Sequence, residues 1–189
     1  MRELSLYILD IATNSLKAKA TRINIELIEN DIELLLKIKD NGIGMSKELQ
    51  KQVTDPFVTT RTSRGVGLGL PFLKLIAEQT GGYITINSRT KEESSDGSQG
   101  TEVVAAFNKR SMDHIPLGDI GSTMVALIQG SPETDFVYDH KVGETNIEID
   151  TMSLLEVLKD REMLREYEVL EWIKNRLAMQ YESIGYINC

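Results

Sequence analysis

The sequence predicts an α/β fold, a two-layer sandwich in which helices on one face cover a mixed, largely antiparallel sheet. In residues 3–18, apolar side chains recur at the three- and four-residue spacing of an amphipathic helix. Residues 22–27 and 34–38 then alternate apolar and polar side chains, as strands with one buried face do. A short helix, a loop, a second helix and two more strands follow, and this order is typical of such a sandwich.

Turn and cap signals define the elements after the first helix. Residues 29–31 connect the two strands as a hairpin, and the Asp-Asn-Gly-Ile-Gly stretch at 40–44 is a turn. Ser46 caps a short helix that runs to about Val53. Three elements and two loops complete this part: a helix over 69–80, strands over 83–88 and 101–108, an aperiodic loop over 54–69, and a polar loop over 92–100.

The composition is that of an ordinary globular protein, and it excludes several classes. The chain has 189 residues, a formal charge of −8 and a pI near 4.9. These values argue against a duplex nucleic-acid binder, because phosphate contacts need clustered Lys and Arg. The longest apolar run, 66–77, is interrupted by Lys74, and no signal-peptide pattern is present, so we expect a cytoplasmic protein without a membrane span. Cys189 is the only cysteine, which excludes an intrachain disulfide.

The acidic charge is concentrated in the last third of the chain. Residues 1–111 carry 15 basic and 14 acidic side chains, whereas residues 112–189 carry 6 and 15. This shift predicts a first domain over 1–110 and an acidic α/β appendage over 112–189. The appendage is predicted to contain a helix over 119–129, a hairpin of strands 136–139 and 146–149, and helices over 152–159 and 166–182. We expect residues 1–110 to fold alone, unless helix 166–182 packs back on the sandwich.

Four short motifs follow one another in the first 110 residues. Together, and in this order, they are far more specific than any one of them alone. They are Asp10-Ile-Ala-Thr-Asn14, Asp40-Asn-Gly-Ile-Gly44, Asp55-Pro-Phe57 followed by Thr59-Thr60-Arg61, and Gly65-Val-Gly67-Leu-Gly69.

With these motifs, residues 3–108 resemble the GHKL ATPase superfamily of gyrase-type topoisomerases, heat-shock chaperones, histidine kinases and mismatch-repair proteins. The motifs are similar to its N box, first glycine box, F box with nucleotide lid, and second glycine box, and Gly100-Thr101 is similar to the third. The residue sequences of the lid and of the second glycine box are most similar to those of the histidine kinases. The resemblance implies the two-layer GHKL fold, ATP and Mg²⁺ as cofactors, and these binding residues: Asn14, Lys17, Asp40, Gly42, Gly44, Met45, Phe57, Thr60, Arg61, Arg64, Gly65, Val66, Gly67, Leu68, Gly69, Leu70 and Thr101.

The residue chemistry agrees with this resemblance at the first glycine box. Asp40 ends an apolar strand, so its carboxylate can face a pocket and accept a charge-assisted hydrogen bond from an exocyclic amine such as that of adenine. Taken alone, an Asp before Asn-Gly is also an ordinary turn residue. Gly42 and Gly44 fit either close approach to a flat ring or simple turn geometry. With the other motifs in register, adenine recognition is the interpretation adopted.

Asp10, Asn14 and Lys17 lie on one stripe of the first helix. The amide oxygen of Asn14 suits Mg²⁺ whose other ligands are phosphates and water, and by resemblance Asn14 is the magnesium residue. Lys17 is placed to contact phosphate oxygens. The alternative for Asn14 and Lys17 is that both are ordinary polar residues on a solvated helix face. Asp10 is the candidate catalytic residue. Family members that hydrolyse ATP well commonly carry Glu there to orient the attacking water, so the shorter Asp implies slow hydrolysis.

The second glycine box precedes a helix that carries Pro71 in its first turn. Free backbone N–H groups and the positive end of that helix can cradle a triphosphate. In the lid, Arg61 and Arg64 either reach the γ-phosphate or remain solvated.

These interpretations predict Mg-dependent ATP binding with slow ATP hydrolysis or phosphoryl transfer to a separate protein, in signalling or regulation. The alternative is a nucleotide-gated protein-binding module without productive catalysis. A protein partner is expected, and a homodimer is left open. His114 and His140 are interpreted as surface or turn residues rather than phosphoacceptors.

Overall fold

The computed structural model describes residues 3–55, 69–94 and 98–186. In that part of the chain, no helix combines the length and the hydropathy needed to cross a bilayer. The predicted elements are present, and a 3₁₀ helix over Arg161–Arg165 is an element that the sequence did not predict. The helices are α1 (Leu4–Lys17), α2 (Lys47–Gln52), α3 (Gly69–Gln79), α4 (Ile120–Gly130), α5 (Thr151–Leu158) and α6 (Tyr167–Ser183), and the strands are β1 (Arg22–Glu29), β2 (Glu33–Asp40), β3 (Tyr83–Arg89), β4 (Gly100–Asn108), β5 (Asp135–Val142) and β6 (Thr145–Asp150).

The strands form one six-stranded mixed sheet in the order β3-β4-β2-β1-β5-β6. Four of the five strand pairs are antiparallel, and the parallel pair joins β1 to β5, with Arg22 opposite Asp135. The predicted two-layer α/β sandwich is therefore confirmed. The sheet also continues across the boundary that the charge distribution predicts near residue 110, because β5 and β6 extend the edge that β1 would otherwise present.

The core lies between one face of this sheet and the helices. Ile23, Ile25 and Leu27 on β1 are buried, whereas the side chains between them are partly exposed. The same alternation runs through β2 and β5, and the register places Ile25 beside both Ile38 and Tyr138. Buried apolar rows from neighbouring strands thus form one continuous layer, on which α1 and α3 pack.

Residues 112–186 contribute to the same core. Helix α4 contacts α1, and α6 contacts both α4 and β6. The start of α1 is fixed by two backbone hydrogen bonds, from the Leu4 amide to the Pro116 carbonyl at 2.9 Å and from the Ser5 amide to the Leu117 carbonyl at 2.8 Å. This is the arrangement in which helix 166–182 packs back on the sandwich.

Both outer edges of the sheet carry a glutamine side chain. On β3, the Ser88 amide donates to Oε1 of Gln50 at 3.1 Å, and Nε2 of Gln50 donates to the Ser88 carbonyl at 2.8 Å. On β6, the Glu148 amide donates to Oε1 of Gln180 at 3.2 Å. The amide of Gln50 therefore imitates one residue of a further strand, and it fixes α2 against β3.

A buried polar cluster joins the end of β1 to β5 and α6. The side chain of His140 is fully buried on β5, so its interpretation as a surface or turn residue is wrong; the strand continues to Val142, beyond the predicted 136–139. Its Nε2 lies 3.1 Å from Oε2 of Glu29, and its Nδ1 lies 2.9 Å from the Tyr181 hydroxyl. The Glu29 carboxylate also pairs with Lys109 and accepts a bond from the Tyr186 hydroxyl at 2.8 Å.

This cluster gives the protein a defined acid sensitivity. Burial alone would raise the pKa of Glu29, but hydrogen bonds from His140, Lys109 and Tyr186 outweigh it and lower the pKa from 4.5 to about 2. A carboxylate with a depressed pKa stabilises the fold above its unfolded pKa, and that contribution is lost as pH falls from about 4.5 towards 2. The shift corresponds to about 3 kcal/mol at neutral pH.

We expect Glu29→Gln to lower the free energy of unfolding by about 3 kcal/mol at pH 7 and to flatten its decline between pH 4.5 and 2. Urea titrations across that range measure both effects. Glu33→Gln, at an exposed position of the same hairpin, is the matched control. If the free energy of unfolding of the wild type and of Glu29→Gln declined in parallel between pH 4.5 and 2, Glu29 would not be the source of the pH dependence.

Candidate functional site

The carboxylate of Asp40 lies at the end of β2, is 8% exposed, and is held by three donors. Oδ2 accepts a hydrogen bond from the Ser15 hydroxyl at 2.6 Å. Oδ1 accepts from the amides of Gly42 at 2.8 Å and Thr101 at 3.2 Å. Two carboxylate oxygens offer about four acceptor directions. The three bonds thus fix the orientation of the carboxylate and leave one acceptor direction on Oδ2.

The glycines around Asp40 are required by the fold itself. A Cβ on Gly42 would lie 2.7 Å from the Ala18 carbonyl oxygen. Gly44 has φ +72°, and a Cβ there would overlap the carbonyl of Arg89. The turn over 40–44 therefore packs closely against the α1–β1 loop on one side and the end of β3 on the other, with no room for a Cβ at either glycine. Contact of these glycines with a ligand remains a prediction.

Hydrogen bonds of the Ser88 and Gln50 side chains hold the turn over 40–44 against β3. The Ser88 hydroxyl accepts a hydrogen bond from the Met45 amide at 2.8 Å and shares another, also 2.8 Å, with the Thr101 hydroxyl. Gln50 donates to the Met45 carbonyl at 3.0 Å while it binds Ser88. Met45 and Thr101, both predicted site residues, are thus linked through Ser88 and held beside Asp40.

Helix α1 brings a second group of predicted residues to the start of α3. A Cβ on Gly69, the first residue of α3, would overlap the carboxylate of Asp10, so the two are in direct contact. Asn14 lies one turn further along α1 and is partly buried, whereas Lys17 is exposed. Leu70 follows Gly69 and is buried. Asp10 therefore lies at the N-terminus of an 11-residue helix, and Asn14 follows it one turn along α1.

The remaining predicted site residues lie outside the described residues. They are Phe57, Thr60, Arg61, Arg64, Gly65, Val66, Gly67 and Leu68.

Three polar residues of this site were not predicted from the sequence. Ser15, Gln50 and Ser88 all bond to residues of the site. Ser15 carried a usable signal, because it occupies the buried stripe of α1 that also holds Ile8, and a polar residue on such a stripe needs a partner. Gln50 and Ser88 carried none, since both belong to polar segments of ordinary composition.

The described residues contain no cluster of three or more His, Cys, Asp or Glu side chains able to hold a metal ion. The chemistry of Asn14 fits Mg²⁺, because its amide oxygen is an oxygen ligand of the kind that this ion prefers.

Comparison with known proteins identifies the family. The model of the histidine kinase-, DNA gyrase B- and HSP90-like ATPase family matches residues 2–111. The chain belongs to this family. Asp40, Ser15, Asp10, Asn14 and the start of α3 all lie within the matched residues, so the geometry described above belongs to the family's ATPase domain.

Sequence relatives of this chain include a sensor protein and a sporulation kinase. The chain is 30% identical to the sensor protein GtcS of Aneurinibacillus migulanus over 112 residues, which are 57% of this chain and 28% of that protein. It is 36% identical to sporulation kinase D of Bacillus subtilis over 98 residues, 51% of this chain and 18% of the kinase. The matched part therefore spans less than a third of either relative.

Solved structures show the same fold over more of the chain. The MutL ATPase domain of Aquifex aeolicus, complexed with ADP, superposes with a TM-score of 0.56 at 18% identity, covering 87% of this chain and 69% of that one. The N-terminal domain of a DNA repair protein gives a TM-score of 0.54 at 15% identity, with 79% and 52% coverage. Because 87% exceeds the share in residues 2–111, the structural likeness includes part of the C-terminal segment.

Proposed function

We propose that this chain binds Mg·ATP and either hydrolyses it slowly or transfers its γ-phosphoryl group to a separate protein, in cytoplasmic signalling or regulation. The observation that carries the proposal is the Asp40 carboxylate, which is buried, oriented by three donors, and left with one acceptor direction. That direction suits the exocyclic amine of adenine, and the bond would be charge-assisted.

The start of α3 supports the placement of the phosphates. The positive end of an 11-residue helix favours anions there. The Asp10 carboxylate lies at the same helix end, so a triphosphate would meet a like charge. A divalent cation held by Asn14 and the phosphate oxygens removes that conflict, which is why we include Mg²⁺ in the proposal.

A second candidate, a nucleotide-gated binding module, is favoured by one observation. The Asp10 carboxylate contacts Gly69 directly, and a side chain held against the start of α3 has little freedom to orient an attacking water. Phosphate release and transfer of label from γ-labelled ATP to purified candidate acceptors separate the two functions. Release or transfer that is lost in Asp10→Asn supports the enzyme. ATP binding without either reaction supports the module, and absence of ATP binding contradicts both.

We expect Asn14→Ala to uncouple metal from nucleotide. The mutation removes the proposed side-chain ligand of Mg²⁺ but leaves Asp40 and its donors in place. Affinity for Mg·ATP is therefore expected to fall about tenfold, while affinity for metal-free adenosine stays unchanged. Calorimetric titrations with both ligands measure this, with Asn24→Ala on the outer face of β1 as control. Equal affinity of Asn14→Ala and the wild type for Mg·ATP removes Asn14 from the site.

A further inference from the structure

A cavity of about 400 Å³ lies between the start of α4 and the second half of α6. Its apolar lining comes from Leu117, Ile120, Leu177 and Ala178. This volume falls within the range of small-molecule sites, roughly 300–1,000 Å³. None of the residues assigned to the nucleotide site lines it, so it requires a separate explanation.

Two side chains of opposite charge, Glu3 and Lys174, flank the cavity. Glu3 lies against Gly118, where a Cβ would overlap its carboxylate. The aliphatic part of Lys174 lies against Gly121, with its Cγ 3.2 Å from the position that a Cβ would take there. Glu3 accepts one long bond of 3.5 Å from the Ser5 hydroxyl. Within the described part of the chain, neither Glu3 nor Lys174 forms an ion pair.

The third charged side chain that lines the cavity, Asp119, already accepts hydrogen bonds within the protein. Asp119 caps α4, where its carboxylate accepts hydrogen bonds from the amide of Ser122 at 2.8 Å and from its hydroxyl at 2.6 Å. The pKa of Asp119 is lowered, because these bonds and the nearby Lys174 outweigh the effect of burial. Glu3, and Lys174 near Asp119 but outside ion-pair distance of it, are therefore the two groups that can pair with a charged ligand.

Two aromatic rings form one wall of the cavity. The rings of Tyr181 and Tyr186 have centroids 5.1 Å apart. The Tyr181 hydroxyl bonds to Tyr138 and His140, and the Tyr186 hydroxyl bonds to Glu29. None of these partners lines the cavity, so the hydroxyls are engaged elsewhere and the rings form a fixed apolar wall.

We propose that this cavity binds a free α-amino acid with an apolar side chain. The ligand ammonium would pair with Glu3, its carboxylate with Lys174, and its side chain would lie against Leu177 and the two tyrosine rings. A ligand with a single charge would pair with only one of these two side chains, whereas a zwitterion would pair with both. The unpaired acid, the unpaired amine and the apolar wall together favour a zwitterion.

The proposal is independent of the nucleotide site, although one helix connects the two. Helix α1 begins immediately after Glu3 and carries Asp10 and Asn14 further along. The two backbone hydrogen bonds from Leu4 and Ser5 join that start to the loop that borders the cavity.

The test is a ¹H–¹⁵N NMR titration of the full chain with L-phenylalanine, 2-phenylethylamine and 3-phenylpropionate. The two analogues lack the carboxylate and the ammonium, respectively. We expect L-phenylalanine to shift the resonances of residues 117–121 and 174–181, and each analogue to bind at least about tenfold more weakly. Glu3→Gln and Lys174→Gln are each expected to weaken L-phenylalanine binding by a similar factor. Arg176→Gln, an exposed change on α6 outside the cavity, is expected to have no effect.

Three results would overturn the proposal. They are no shift of the cavity resonances at millimolar L-phenylalanine, equal binding of the one-charge analogues, and unchanged affinity in both Glu3→Gln and Lys174→Gln. Thermal melts of each variant show whether it is folded. ATP affinity, measured in the same samples, tests the proposed function separately.

Discussion

A chain that ends at Arg110 is expected to be insoluble or to lack a cooperative melt. Of the 33 buried apolar residues in the described part of the chain, 13 lie beyond residue 111. Removing them takes β5 from the parallel edge of β1 and α4 from α1. Each apolar side chain left uncovered costs roughly 1.5–3 kcal/mol, and a few such losses match the ~5–15 kcal/mol that stabilises a whole domain.

Circular dichroism melts and size-exclusion chromatography measure this effect. Leu177→Ala in the full chain is the comparison: it should lower stability by about 2–5 kcal/mol but retain a cooperative transition, because only one buried side chain of α6 is reduced. A shortened chain that is monomeric, melts cooperatively and binds ATP would show that residues 1–110 are an independent domain, as the charge distribution predicts.

Asp40→Asn is expected to cause the largest loss of nucleotide affinity of any single substitution. The amide that replaces the carboxylate can still accept the bonds from Gly42 and Thr101, but its other end becomes a donor facing the place of the adenine amine. Loss of a hydrogen bond to a charged group costs ~1.5–3 kcal/mol, a roughly 10- to 150-fold fall in affinity. Preference for ATP over GTP should fall as well, because guanine presents a carbonyl there.

Calorimetric titration with ATP and GTP checks this result against two matched variants. Ser15→Ala removes the donor to Oδ2 but keeps the carboxylate, so its loss should be smaller, at most about tenfold. Asp31→Asn, at the exposed tip of the β1–β2 hairpin, should have no effect. ATP affinities of the wild type and Asp40→Asn within twofold of each other would rule out the assignment of Asp40 to adenine.

Periodicity was sufficient to predict the helices and strands, because each buries one face and its side chains follow the repeat of the backbone. That repeat does not predict which strands pair when they are far apart in the sequence. Residues 135–142 have the pattern of a hairpin strand, and nothing local indicates that they lie parallel to β1. The change in net charge near residue 111 reflects charged side chains, which lie mostly on the surface. The hydrophobic core, by contrast, is continuous across that position.

The candidate site shows the same limit at the level of single residues. Asp40 and Asn14 are predicted as site residues because short motifs carry their identity and spacing. Part of what orients Asp40 comes from far along the chain: the Thr101 amide on β4 donates to its carboxylate, and the Thr101 hydroxyl bonds to Ser88 on β3. His140 was misplaced because its partners, Glu29 and Tyr181, belong to β1 and α6, and a buried histidine needs such partners to be tolerated.

The two glutamines at the margins of the sheet bear on how copies of this protein behave towards one another. A strand with open N–H and C=O groups is a template for intermolecular strand addition, the first step towards fibrils. Gln50 occupies both groups of Ser88 on β3, and Gln180 occupies the Glu148 amide on β6. Each of the two terminal strands thus has part of its backbone blocked by a side chain from a helix, which disfavours growth of the sheet into a neighbouring molecule.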